Sequence, residues 1–340
     1  MRILVAGATG VIGRQLVPVL ASAGHEVIGM AKRDPGVPAR TRVRMVYADA
    51  LDGPAVTAAV RQANPDAVVN MLTAIPARID PRRMARDFEP TNRLRTEGTR
   101  HLLSAAAVTG VRRVIAQGLA YAYDPAVDGP ADEDQPLWRH PPAQFAPVLR
   151  ALTELEQRTR DAGGLVLRLG HMYGPGTIYA PDGSIIEQVR AGKVPLVGGG
   201  TSVFSFTHTY DAATAVLAAL DTDATGVLNI VDDDPATVAT WLPVLATMLA
   251  APQPRRVPSA LARLAVGGWG VAFMTQLRGA YNARARRTLN WRPRHRSWRN
   301  GFAHEFRTQA PAPAGSRTYD HGTARRSTDP GPQLSTEEKR

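Results

Sequence analysis

The opening stretch MRILVAGATGVIG, Met1 to Gly13, decides the fold. Its first part, RILVA at residues 2–6, is a short apolar run bounded by glycine. That is the pattern of a strand buried on both faces of a parallel sheet. Its second part is G-x-x-G-x-x-G, with Gly7, Gly10 and Gly13. Residues 11–23, VIGRQLVPVLASA, carry helical spacing and stop at Gly24. A glycine-rich turn between strand and helix suits a pyrophosphate: the backbone can approach it, and the helix N-terminus offers free N–H groups and a favourable dipole. Gly7, Thr9, Gly10, Val11, Ile12 and Gly13 are the expected contacts of a dinucleotide. A glycine-rich turn with no ligand is the alternative.

The pattern repeats downstream. HEVIGMA (25–31), VRMVYAD (43–49), DAVVNML (66–72), RRVIAQ (112–117) and LVLRLG (165–170) read as strands. Helical spacing separates them at 54–63, 91–110 and 149–161. Strands alternating with helices predict an α/β fold, a Rossmann-type doubly wound parallel sheet. From about residue 174 the loops lengthen, and a smaller C-terminal substrate lobe is expected, completed by RRTLNWRP near 286–293. The expected division is a main Rossmann domain over 1–173 and a substrate-side lobe over 174–307, with elements returning to the sheet. Residues 308–340, rich in Pro, Gly, Ser and Thr, read as a disordered tail.

Composition narrows the classes. The 340 residues contain no cysteine, which excludes disulfides, a thiolate nucleophile and cysteine-ligated zinc. No apolar run approaches the roughly 18 residues of a membrane span, and a cytoplasmic location is expected. The net charge of +11 comes almost wholly from arginine, densest over Arg278–Arg299, where no nucleic-acid module is recognisable. The expected partner is a small-molecule substrate, with neither nucleic acid nor membrane involved; a homodimer is left open.

The second strand ends at Ala31, where an NAD-preferring fold usually places a carboxylate for the ribose 2′-hydroxyl. Lys32 and Arg33 follow and are suited to pair with a 2′-phosphate, so NADP is favoured over NAD. Their alternative is a pair of solvated loop charges.

GATGVIG, ADALD with Asp49, NRLRTEGTRHLLSAA with Asn92, LRLGHMYGPG around Arg168, FTHTYDAA with His208 and Asp211, and RRTLNWRP occur in that order. Together they resemble the extended short-chain dehydrogenase/reductase family, also described as NAD-dependent epimerase/dehydratase-like, over about residues 1–306. The resemblance implies that Asp49 and Ala50 border the adenine and that Asn70, Met71, Leu72 and Thr73 line the cofactor cleft. It implies a supporting role for Asn92.

The family's chemistry rests on Y-x-x-x-K and a serine or threonine at the fifth strand's end. Here no tyrosine occurs from 124 to 172 and no lysine from 34 to 192, so the pair is absent in any register. Gly118 and Leu119 stand where the hydroxyl belongs. The family's sugar-nucleotide enzymes usually carry asparagine at the place of His171 and arginine at that of Phe204, which points to a smaller or more apolar substrate. Tyr123, His171 and Tyr121 are the candidate proton donors. His171 is attractive because an imidazole titrates near neutrality without a tuning lysine. His208 reads as structural, Asp211 as an anchor for the helix DAATAVLAAL, and the carboxylates of DEDQ (132–135) and DDD (232–234) as solvated turns. The scattered histidines give no metal-binding spacing, and none is expected. The expectation is an NAD(P)-dependent oxidoreductase of atypical mechanism that reduces a carbonyl or related group of a small metabolite. The alternatives are an inactive nicotinamide-binding regulator or scaffold, and a redox-neutral epimerase, isomerase or lyase.

Overall fold

The computed structural model describes residues 1–33, 43–127 and 129–308. The tail read as disordered from 308 lies, but for its first residue, outside the described residues. Strands β1 (Arg2–Ala6), β2 (Glu26–Ala31), β3 (Arg44–Tyr47), β4 (Ala67–Asn70), β5 (Arg113–Leu119) and β6 (Leu165–Leu169) form one sheet with a seventh strand, Gly226–Ile230. The spatial order is Gly226–Ile230, β6, β5, β4, β1, β2, β3, and every pairing is parallel. The order reverses between β1 and β4. Ligands of such sheets bind at that switch point, outside the carboxyl ends of the strands.

Both faces of the sheet are covered, which is why β1 after Arg2 and β4 before Asn70 are apolar. Ile3 and Val5 pack with Leu16 and Leu20 of helix α1 (Gly13–Ser22) on one face. Leu4 and Val68 pack with Val56 and Val60 of helix α2 (Gly53–Ala63) on the other. Asp52 caps α2 by accepting from the Ala55 N–H, and Pro54 occupies its first turn, where a missing N–H costs nothing.

A separate core lies under residues beyond 174. It joins Tyr179, Phe204, Phe206, Trp241, Trp298 and Phe302 to Phe145 and to Val148 and Leu152 of the helix Ala146–Asp161. RRTLNWRP does not complete this second core: Leu289 and Trp291 pack with Leu16 and Leu165 in the sheet's own core. The reason is the helix Thr209–Leu220, which lies beside α1 and receives Trp291, whose indole N–H donates to the Thr214 hydroxyl at 3.1 Å.

The acidic runs are solvated only in part: Asp132 and Asp134 are exposed, but one carboxylate of each run is buried and engaged. Glu133 accepts the backbone N–H of Asn229 at 2.8 Å, and its side chain is 2% exposed. Asp232 is buried and accepts the N–H groups of Phe206 and Trp298. Their neighbours meet the arginine-rich segment: Arg284 pairs with Glu133 and Asp134, Arg286 and Arg296 with Asp233, and Arg299 with Asp234. Much of the densest positive patch is therefore neutralised within the chain. No helix among the described residues is long and apolar enough to cross a membrane.

Candidate active site

The glycine loop is tight for stated reasons. Gly7 has φ +87°, and a Cβ there would lie 2.7 Å from the Met71 carbonyl oxygen. A Cβ on Gly13 would lie 2.2 Å from the Gly7 carbonyl oxygen and 2.5 Å from that of Ala8. Only glycine lets the loop fold under the start of α1 while β4 passes beside it. Thr9 is exposed at the loop's tip, and Gly10 closes the turn by donating to the Gly7 carbonyl. Among the described residues, no backbone hydrogen bond outside regular elements uses the N–H of Val11 or Ile12. A loop with bare N–H groups at a helix start, cleared of side chains, fits a dinucleotide pyrophosphate.

At the end of β2, Lys32 and Arg33 are exposed. Lys32 reaches across to Asp49, Nζ to Oδ2 2.7 Å, and this contact, with the Leu51 N–H, holds the Asp49 carboxyl below its ordinary range. Ala50 is buried and its carbonyl meets His101 Nδ1 at 3.0 Å. Asn70 is buried; its amide donates to the Thr99 hydroxyl at 3.0 Å and accepts from the Leu72 N–H at 3.2 Å. It shapes the loop Met71–Leu72–Thr73, of which Met71 is buried and Thr73 exposed.

The long helix after this loop is not uniform. It runs as α-helix over Glu89–Arg93, as π-helix over Leu94–Gly98, and as α-helix over Thr99–Thr109. At about 100° per residue, positions 91 and 99 of a regular helix would face about 80° apart. A π turn absorbs one residue and leaves them within about 20°. Thr91 and Thr99 thus share a face: the first accepts the Ala74 N–H at 3.1 Å, the second receives Asn70. Asn92, expected to support this geometry, has a buried side-chain oxygen with no hydrogen-bond partner; the two threonines do that work.

The candidate proton donors have other occupations. Tyr123 is 1% exposed, donates to Asn229 Oδ1 at 2.6 Å and accepts from Arg168 Nη1 at 2.9 Å. Arg168 grips Glu156 with two further bonds of 2.9 and 2.6 Å. Gly118 leaves room for that pair, since a Cβ there would meet Glu156 Oε1 at 3.0 Å. Tyr123 is thereby a strut of a buried network, with its hydroxyl engaged in both directions.

His171 does not titrate near neutrality. Its ring is sandwiched between Tyr121 (centroids 4.4 Å) and Phe204 (3.6 Å), with Phe273 edge-on at 5.5 Å. Burial pushes its pKa down to about 3, against a weak contact with the Ser205 carbonyl. The imidazole is neutral at pH 7, so it has no acidic proton of useful strength. The rings responsible come from residues 204 and 273, which explains the replacement of polar groups at 171 and 204 by a stack. Because the unfolded chain takes up a proton that the folded chain refuses, His171 costs stability as pH falls from its ordinary 6.5 towards 3, by about 1.4 kcal/mol per pH unit. His171→Phe is expected to flatten the fall of melting temperature between pH 6 and 4; an unchanged slope would refute the assignment.

Tyr121 remains, a partly buried residue just past the end of β5. Burial raises its pKa, and the Arg95 charge opposes that rise.

Ligand-type atoms of His208, Asp211 and His295 lie within 4.8 Å of one another, a grouping that linear spacing does not reveal. They are engaged as a latch. His208 Nδ1 accepts the Tyr210 N–H, which puts its proton on Nε2, facing Glu305 at 3.1 Å. Asp211 accepts the N–H groups of Arg294 and His295 at 2.7 and 3.0 Å. Asp211 therefore anchors the C-terminal segment, while His208 caps the helix Thr209–Leu220.

Residues 3–231 match the NAD dependent epimerase/dehydratase family. The chain belongs to that family. A Streptomyces protein named 3-diazoavenalumate denitrifying reductase is 48% identical, over 90% of this chain and 100% of that protein. The structure of MoeE5 in complex with UDP-glucuronic acid and NAD superposes with a TM-score of 0.71 at 23% identity, over 91% of this chain and 100% of the other. Human epimerase family protein SDR39U1 (isoform 2) with NADPH does so at 0.69 and 21%, over 89% and 98%. This epimerase/dehydratase-family chain is an oxidoreductase served by a nicotinamide cofactor.

Proposed function

We propose that the chain is an NADPH-dependent reductase that replaces a diazo group by hydrogen and releases dinitrogen. The observation that carries this reading is the loss of proton-donating machinery beside an intact phosphate loop. Y-x-x-x-K is missing, Tyr123 is locked in a network, and His171 is neutral. Carbonyl reduction needs a proton for the nascent alkoxide; displacement of dinitrogen by hydride at a diazonium carbon does not, because the cation's charge cancels that of the hydride. The bound reduced nicotinamide would supply hydride, whose electron pair forms the new C–H bond as the C–N bond breaks and its pair departs with N2. The similarity to a denitrifying reductase along that protein's entire length supports the same chemistry, and its name denotes a diazo-substituted acid anion.

The residues have correspondingly simple tasks. Gly7, Thr9, Gly10, Val11, Ile12 and Gly13 hold the pyrophosphate. Ala31 leaves room for a 2′-phosphate, Arg33 faces it, and Lys32 turns from Asp49 towards it. Asp49 and Ala50 border the adenine, and Asn70 to Thr73 wall the cleft. Tyr121 and Phe273, each partly exposed and packed on the buried His171 and Phe204, give a weakly polar surface for a planar electrophile.

The test uses NADPH deuterated at nicotinamide C4 and an arenediazonium salt, with a Gly13→Ala chain to measure background. The expected result is one N2 per NADPH, deuterium at the carbon that carried nitrogen, and a solvent deuterium isotope effect near unity. Faster turnover of ketones, or a large solvent effect, would sink the proposal. Tighter binding of NADH than NADPH would refute the cofactor assignment.

A further inference from the structure

Arg95 lies in the π turn and is 4% exposed. No hydrogen bond or ion pair of its guanidinium occurs among the described residues, and Nη1 is buried without a partner. Residues of this kind are almost never buried unless paired. The carboxylate whose charge reaches it is Glu156, and that group is already neutralised by its two bonds to Arg168. The interior here therefore carries one positive charge more than it can balance, a condition that costs stability.

The direction of the side chain follows from its helix. Thr91 and Thr99 flank Arg95 on the buried face, and both bond to the Asn70–Ala74 segment that walls the cleft. Arg95 sits between them, and its charge acts on the hydroxyl of Tyr121, which follows the end of β5. Tyr121 in turn stacks on His171. A cation and a phenol thus end at one edge of a ring-lined surface.

We propose that Arg95, with the Tyr121 hydroxyl, is the anchor for a carboxylate on a planar substrate. A guanidinium offers parallel N–H donors matched to a carboxylate, and a buried site strengthens them. The anion supplies the charge the interior lacks, and the adjoining conjugated group lies on the stack. This assignment rests on the reading of the substrate as an acid anion.

Its test is a binding measurement that involves neither a diazo compound nor turnover, so it fails or succeeds separately from that reading. Benzoate and benzamide are titrated against the NADP-loaded full chain by melting temperature and tryptophan fluorescence. Benzoate is expected to raise the wild-type melting temperature and benzamide to leave it unmoved. Arg95→Met should weaken benzoate by about 10- to 100-fold, keep NADP binding, and melt no lower than wild type, since it removes an unbalanced buried charge. Arg95→Lys should retain part of the benzoate response. Equal benzoate binding by wild type and Arg95→Met, equal binding of benzamide and benzoate, no benzoate binding at all, or a large melting loss in both Arg95 variants would each overturn the proposal.

Discussion

Glu156→Ala is expected to destabilise the chain by roughly 3–5 kcal/mol in urea unfolding. Glu156 is 3% exposed and carries two of the three side-chain bonds of Arg168. Its removal leaves the Arg168 guanidinium buried with only the Tyr123 hydroxyl for company, and leaves Arg95 without its single attractive carboxylate. Tyr123 and Asn229 tie the same network to the strand Gly226–Ile230, so the loss spreads over β5, β6 and that strand. The double variant Glu156→Leu with Arg168→Met is expected to recover most of the deficit, because well-packed apolar groups replace a buried ion pair at little cost. A single variant within about 1 kcal/mol of wild type would show the pair to be solvated and irrelevant.

Gly13→Ala is expected to abolish tight nicotinamide binding, with affinity falling on the order of 100-fold or more. The new methyl would sit 2.2 Å from one carbonyl oxygen and 2.5 Å from another, both backbone. Neither can yield by a rotamer change, so the loop must open away from the helix start. A few kcal/mol of such strain corresponds to two or more decades of affinity. NADPH fluorescence titration reads the effect, and circular dichroism checks that the sheet persists. Wild-type affinity in this variant would show that the loop does not hold the cofactor.

The sheet was legible because its strands are short apolar runs punctuated by glycine: β1 to β4 and β6 each lie within one of them, and β5 runs past RRVIAQ to Leu119. Local pattern also located the loop Gly7–Gly13. What escaped it depends on distant partners. Glu133 and Asp232 look like any surface carboxylates until Asn229, Phe206 and Trp298 arrive with N–H groups. His171 looks titratable until rings from 204 and 273 close over it. Arg95 was hidden in a helix whose charged residues suggest a solvated face, because a π turn leaves no trace in hydrophobic period.

That π turn lets the helix carry one extra residue without losing its phase. Removing any one residue between 94 and 98 would restore ordinary winding and leave Thr91 and Thr99 seven residues apart, still within about 20° of one face. Asn70 and Ala74 would then still be addressed from one side. A relative one residue shorter in this segment would keep both threonine contacts, whereas the full-length segment wound as ordinary α-helix would turn the two threonines about 80° apart.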